Sequence, residues 1–199
     1  MTTARAVVRA IVVTDGRSGH LPAVLASLAD HSYDTLDVVV VDGDEPDLPE
    51  GVRGEIVRAD GASYREAIDA AVATHPALDQ ELLWLLHDDT APMPGALDAL
   101  TAVARKRRRA AIVGAAHVNW RDPSRLVDLG ATVSRVGARR IQLVEEDDVN
   151  QGQYDSRDDV LAVSLAGALV RREWWDRAGG TDDAYRGFGE SVDLCRRAW

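Results

Sequence analysis

Leu82-Leu83-Trp84-Leu85-Leu86-His87-Asp88-Asp89 is a run of five apolar residues that opens onto an imidazole and two carboxylates. A continuous apolar run of this length, bounded by polar residues, reads as a strand covered on both faces, the kind that parallel sheets contain. Two adjacent carboxylates leaving such a strand create a costly local charge unless water or a cation compensates it. The stretch therefore reads as a buried strand whose exposed end carries chemistry.

The same pattern recurs upstream. Residues 6–13 are apolar and β-branched apart from Arg9, and end at Thr14-Asp15-Gly16. Residues 36–41 form a second run, stopped by Asp42-Gly43-Asp44, and residues 55–59 a short third one. Helical signals separate them. Ser18 is placed to cap a helix with Leu21, Val24, Leu25 and Leu28 on one face. Ser63-x-x-Glu66 is a capping box leading into Tyr64, Ala67, Ile68, Ala71 and Val72. Pro94 suits the first turn of a helix that points Leu97, Leu100, Val103 and Ala104 inward. Strand, helix, strand, strand, helix, strand, helix is an α/β layout with a mostly parallel central sheet flanked by helices. In such a sheet the ends Thr14-Asp15-Gly16, Asp42-Gly43-Asp44 and His87-Asp88-Asp89 share one edge, where ligands bind.

The second half is less regular. Residues 111–115 read as a strand, residues 126–144 as a hairpin or partly ordered loop, and the strongly polar residues 145–159 as mobile. Residues 160–170 read as a buried strand in which Gly167 lets a ligand or another backbone come close. The last helix keeps its apolar face, Val192, Cys195, Ala198 and Trp199, up to the final residue without a glycine or proline stop. That predicts a catalytic piece of a longer protein. Arg105-Lys106-Arg107-Arg108-Arg109 reads as a solvated helix end.

Composition narrows the class. The 199 residues suit one domain with a proper core, and no internal repeat suggests a second. With 33 acidic against 23 basic residues the net charge is -10, which argues against nucleic acid as a partner. An acidic chain that handles a phosphate needs a local cation or a placed arginine. The single Cys195 excludes an intramolecular disulfide, reads as a small core residue and suits a reducing compartment. No apolar run approaches the roughly 18 residues of a membrane span, so the expectation is a soluble, cytoplasmic chain. Neither a dinucleotide fingerprint nor a G-K-[ST] phosphate loop occurs.

His87-Asp88-Asp89, followed by Gly179-Gly180-Thr181-Asp182-Asp183 and Glu190-Ser191-Val192-Asp193-Leu194-Cys195-Arg196-Arg197, resembles the family 2 glycosyltransferases. Their patterns run L-D-D-D-x-x-x-P and G-G-F-D-E-x-F-x-x-Y-G-E-D-x-D-L-C-x-R. The resemblance implies a GT-A fold, Rossmann-like and single-domain, and inverting transfer from a nucleotide-diphospho-sugar donor to a carbohydrate or lipid-linked acceptor. It also implies a divalent metal, Mn2+ or Mg2+, and membrane association through a region downstream of residue 199, at the inner face of the plasma membrane. Carried across position by position, Thr14, Asp15, Asp42, Asp44 and Asp88 hold the nucleotide, and Asp89 holds the metal. His87 replaces the first aspartate of the family's Asp-x-Asp as a metal ligand, which favours Mn2+. Ser191 stands where the family has its catalytic aspartate, so Glu190 is the nearest base, with Asp193 second. One of Trp174 and Trp175 is expected in the core and the other against a sugar. The alternatives are a catalytically impaired binding or scaffold domain and, more remotely, a nucleotidyltransferase, whose glycine-rich basic loop is missing.

Overall fold

A computed structural model of the chain describes residues 6–133, 140–145, 148–155, 160–185 and 189–199. Its centre is a six-stranded sheet in the order β3-β2-β1-β4-β10-β5. The strands are β1 (Val8–Thr14), β2 (Thr35–Val40), β3 (Glu55–Arg58), β4 (Leu82–His87), β5 (Ile112–Val113) and, after four short strands outside this sheet, β10 (Ala168–Arg171). β1, β2, β3 and β4 pair in parallel, and β10 runs antiparallel to both β4 and β5. Thr14 is level with Val40, and Val13 with His87, so the three acidic loops do leave from one edge.

Alternate side chains of each strand enter different layers, which is why the runs are apolar throughout. On one face Ala10, Val12, Val38, Trp84 and Leu86 pack under α1 (Leu21–Ser27) and α3 (Ala96–Lys106). On the other, Ile11, Val39, Leu83, Leu85 and Val170 pack under α2 (Tyr64–Ala73), α4 (Arg172–Ala178) and α5 (Glu190–Arg197). The capping box forms in full: the Glu66 backbone N–H donates to Ser63 Oγ at 3.3 Å, and Ser63 N–H donates to Glu66 Oε2 at 2.7 Å.

Several expectations need correction. His20, not Ser18, occupies the N-cap position of α1. Ser18 Oγ instead donates to Asp88 O at 2.9 Å and accepts from His20 N–H, tying the β1 loop to the end of β4. α3 begins after Gly95, which has φ +80°, so Pro94 lies just ahead of the helix. Its buried positions are Leu97, Leu100, Thr101 and Ala104, while Val103 is exposed. At 100° per residue, position 103 lies well off the face that 97, 101 and 104 share. The buried strand expected over residues 160–170 is shorter, starting at Ala168 beyond Gly167, whose φ is +85° and whose N–H bonds Leu85 O. Trp174 and Trp175 are both buried, and Trp175 Nε1–H donates to Asp69 Oδ1 at 3.0 Å. Neither is exposed to stack on a sugar.

Beyond the sheet, β6 (His117–Val118) pairs with β7 (Leu126–Asp128), and β8 (Ala131–Val133) with β9 (Arg140–Gln142). The second pair falls within the hairpin or loop expected over 126–144, whose first residues pair instead with β6 and whose residues 134–139 lie outside the described residues. The polar segment 145–159 lies partly outside the described residues.

Arg9, the one charge in the β1 run, is 2% exposed. Its guanidinium sits 3.3 Å from Glu81 and 3.9 Å from Asp37, and donates to the α2 carbonyls of Ala71 and Val72. Arg172 lies 3.6 Å from Glu81 on the other side. Burial pushes Asp37 up to about 6, with Arg9 pulling it back down.

Candidate functional site

The β1 and β2 loops touch backbone to backbone. A Cβ on Gly16 would lie 3.0 Å from Asp42 O, and one on Gly43 3.2 Å from Gly16 Cα, with both glycines at positive φ. Any side chain at either position would push the two loops apart. Asp15, Arg17 and Asp42 gather over this contact. Arg17 Nη2 bonds Asp42 Oδ2 at 3.1 Å, and Asp15 Oδ1 accepts the Arg17 backbone N–H at 2.9 Å. The Gly43 N–H and, after it, the Arg17 guanidinium hold the Asp42 carboxyl below its ordinary value. Arg58, at the end of β3, donates to Gly43 O at 2.8 Å and fastens the loop from its far side. Asp44 is exposed farther along it.

Asp88 turns inward. Buried Thr14 donates its hydroxyl to Asp88 Oδ2 at 2.6 Å and accepts the Gly16 N–H at 3.0 Å. With Ser18 on its carbonyl, Asp88 holds the β1 loop in place through side chain and backbone together. Asp89 stays exposed, with Thr90 Oγ1 donating to its Oδ1 at 3.1 Å and Trp120 Nε1–H donating to its carbonyl at 2.8 Å. Trp120 is 48% exposed and stacks on His20 with centroids 5.0 Å apart.

His87 takes the opposite side of β4, where its ring meets Tyr64 of α2 at 4.7 Å. Burial pushes the imidazole below its ordinary value, against the pull of Asp89, Asp88 and Glu190. Tyr64 is pushed up, first by burial and then by the charge of Glu190. The charge of Glu190, at the start of α5, is felt by both rings. Tyr64 Oη and His87 Nε2 are both buried without a hydrogen-bond partner. His117 of β6 approaches from the remaining side, its Nε2 donating to Ala166 O at 2.6 Å.

Asp193 is engaged elsewhere. Arg197 Nε bonds its Oδ2 at 2.8 Å, and the same guanidinium reaches Ala178 O and Gly180 O. Asp193 lines a recess of about 340 Å³ with Arg65, Asp183 and Arg197, to which none of the strand-end residues contributes.

The strand-end donors fit a hard dication that takes substrate oxygens. Mg2+ and Mn2+ are commonly bound through one or two carboxylates, with phosphates and water completing the shell, and Asp89 is the exposed carboxylate here. Three protein ligand atoms within 4.8 Å of one another do not occur at His87-Asp88-Asp89; among the described residues that arrangement exists at Asp37, Glu55 and His75.

Sequence reading missed Arg17, Tyr64, His117 and Trp120 as parts of this edge. Tyr64 carried a usable signal. It opens α2, and a helix following a parallel strand starts at the edge where the strand loops lie. Trp120, set in the polar stretch His117-Val118-Asn119-Trp120, was the other.

A sequence-family model described as Glycosyltransferase like family 2 matches residues 4–199. No curated protein matches the sequence. Among solved structures, the crystal structure of S. aureus TarS 1-349 superposes with a TM-score of 0.55 at 12% identity, over 97% of this chain and 55% of that one. A second crystal structure of S. aureus TarS gives 0.56 at 12% identity, over 97% of this chain and 33% of that one. The chain thus spans about half of the first and a third of the second, and at this identity the likeness concerns the fold. With the parallel sheet, its helices on both faces and the acidic strand ends, the match over residues 4–199 means that this chain belongs to glycosyltransferase-like family 2 and has the GT-A fold.

Proposed function

We propose that residues 1–199 form the catalytic domain of an inverting glycosyltransferase that moves a sugar from a nucleotide-diphospho-sugar to a carbohydrate or lipid-linked acceptor, aided by Mn2+ or Mg2+. The observation that carries this reading is the meeting of three parallel strand ends with the start of α5, which brings Thr14, Asp42, Asp88, Asp89, His87 and Glu190 to one edge. Asp15, Asp42 and Asp44 line the exposed side, where carboxylates accept from the N–H and hydroxyl donors of a base and ribose. Arg17 stands among them as the nearest cation for phosphate oxygens. Asp88 keeps the β1 loop in register rather than touching the donor directly. Asp89 would hold the metal, which stabilises negative charge developing on the leaving diphosphate. His87, whose Nε2 is buried without a hydrogen-bond partner, is the second group available to it.

Inversion needs a carboxylate that takes the acceptor hydroxyl's proton as the anomeric carbon is attacked. Glu190 is that base in this reading. Its charge reaches His87 at the β4 end, whereas Asp193, the second candidate, is paired with Arg197. The orphaned hydroxyl of Tyr64 adds a donor next to Glu190 for a sugar oxygen. Among the described residues no helix is long and apolar enough to cross a membrane. In this reading the enzyme works in the cytoplasm, and a lipid-linked acceptor would bring it to the inner face of the plasma membrane.

One observation favours a second reading, a donor-binding domain with little turnover: Ser191, which cannot serve as a base, stands where the family has aspartate. Calorimetric titration with UDP, GDP and dTDP, with Mn2+ and then with EDTA, tests the shared part. The expected result is one nucleoside diphosphate bound more tightly with Mn2+, the preference vanishing in Asp89→Ala. Absence of binding by all three overturns both readings. Binding without transfer to any acceptor selects the second.

A further inference from the structure

Asp37 is 1% exposed, and neither of its carboxylate oxygens has a hydrogen-bond partner. Arg9 does not supply one: its Nε is 3.9 Å away, and its guanidinium is turned to Glu81 and to the carbonyls of Ala71 and Val72. A buried carboxylate with empty acceptor sites is expensive unless something positive meets it. The two side chains with ligand atoms nearby are Glu55, level with Asp37 on β3, and His75, just past α2. One ligand atom from each of the three lies within 4.8 Å of the others.

We propose that Asp37, Glu55 and His75 bind a divalent transition-metal ion, Zn2+ foremost, at the end of the sheet opposite the donor edge. The donor set is two carboxylates and an imidazole. Imidazole selects against Mg2+ and Ca2+, and among the first-row ions Zn2+ outranks Mn2+ and Fe2+ at such a site. Ligands about 2.1 Å from a tetrahedral ion stand roughly 3.4 Å apart, so atoms within 4.8 Å of one another need to close by at most about 1.4 Å. Glu55 is exposed and His75 half-buried, so their side chains can make that movement while Asp37 stays fixed.

The imidazole is prepared for it. Thr74 Oγ1 donates to Ala71 O at 2.7 Å and lies 2.8 Å from His75 Nδ1. With its only hydrogen on the carbonyl, the hydroxyl can only accept there, so Nδ1 carries the proton and Nε2 the lone pair. A ligating histidine is usually held this way, by a hydrogen bond on its other nitrogen. Three protein ligands leave one position for water. They come from β2, from the edge strand β3 and from the end of α2, so the ion would clamp three elements and stabilise the folded chain by mass action.

This site stands whether or not the opposite edge transfers sugar. Asp42 is five residues beyond Asp37, roughly 16 Å along an extended chain. The test is a titration of the full chain with Zn2+ by calorimetry, with thermal melts and the visible spectrum of the Co2+ form alongside. Wild type and Asp89→Ala should both take up one Zn2+ and melt higher with it. Glu55→Gln and His75→Ala, changes at accessible positions, should each weaken that binding by about tenfold or more and lose the shift in melting temperature. Either of three results overturns the proposal: no saturable Zn2+ uptake below about 100 µM, uptake untouched by both variants, or loss of the same site in Asp89→Ala.

Discussion

Asp37 and Asp42 are five residues apart in one strand and its loop, yet Asp37 is 1% exposed and the Asp42 side chain 61%. At the first end of the sheet, Arg9, Asp37, Glu81 and Arg172 are enclosed between β-strands and α2, with guanidinium groups 3.3 to 3.9 Å from the carboxylates. At the other end Asp15, Asp42 and Asp89 keep their water. Charge removed from water needs fixed partners and then acts on stability. Charge left in water contributes little to the fold and is available to a ligand. Two ends of one parallel sheet thus use the same residue types for different purposes.

The sharpest way to break this contrast is at the exposed end. Glu190→Gln should lower transfer by about 10²- to 10⁴-fold, the range for loss of a general base, while donor affinity and urea stability stay near wild type. Transfer at the wild-type rate removes Glu190 from the mechanism. At the enclosed end Arg9→Leu should cost about 3–5 kcal/mol in urea unfolding, because it leaves Asp37 and Glu81 buried against a weakened positive charge. A loss under about 1 kcal/mol would show that Arg172 and water satisfy those carboxylates unaided.

Thr14→Val probes the boundary between the two regimes, since Thr14 is buried but its partner Asp88 belongs to the site. Losing the hydroxyl should cost about 1–3 kcal/mol and loosen the β1 loop, seen as faster amide exchange at Gly16 together with weaker nucleotide binding. If exchange at Gly16 does not change, Asp88 is not what holds that loop. The smallest effect is expected for Asp42→Asn. Stability should stay within about 0.5 kcal/mol of wild type, while affinity for the nucleoside diphosphate falls. A large destabilisation would mean that the Arg17 and Asp42 pair supports the fold after all.

Patterns carried by neighbouring residues were readable without coordinates. The apolar runs named all four parallel strands, and Ser63 with Glu66 marked the start of α2, because burial on both faces and a reciprocal cap each leave a local signature. The acidic strand ends were readable for the same reason: parallel strands connected by helices must present their loops at one edge. Val103 faces outward although apolar, because the helical period sets it well off the face that 97, 101 and 104 share, and apolar character alone does not mark a buried position. Trp175 entered the core with Asp69 supplying an acceptor for its indole, a contact 106 residues distant in sequence.

What the sequence by itself determined is the α/β architecture, the common edge of Thr14, Asp42 and Asp89, and the candidacy of Glu190. These depend on periodicity, on turn residues and on motif order along the chain. What only the tertiary structure decided is which carboxylates are enclosed: Asp88 bonded to Thr14, and Asp37 brought beside Glu55 and His75. Aspartate looks the same in every sequence window. Its role follows from the water it keeps and the partner it meets, and those partners lie as far away as 74 residues for Asp88 and 106 for Asp69, beyond the reach of any local pattern.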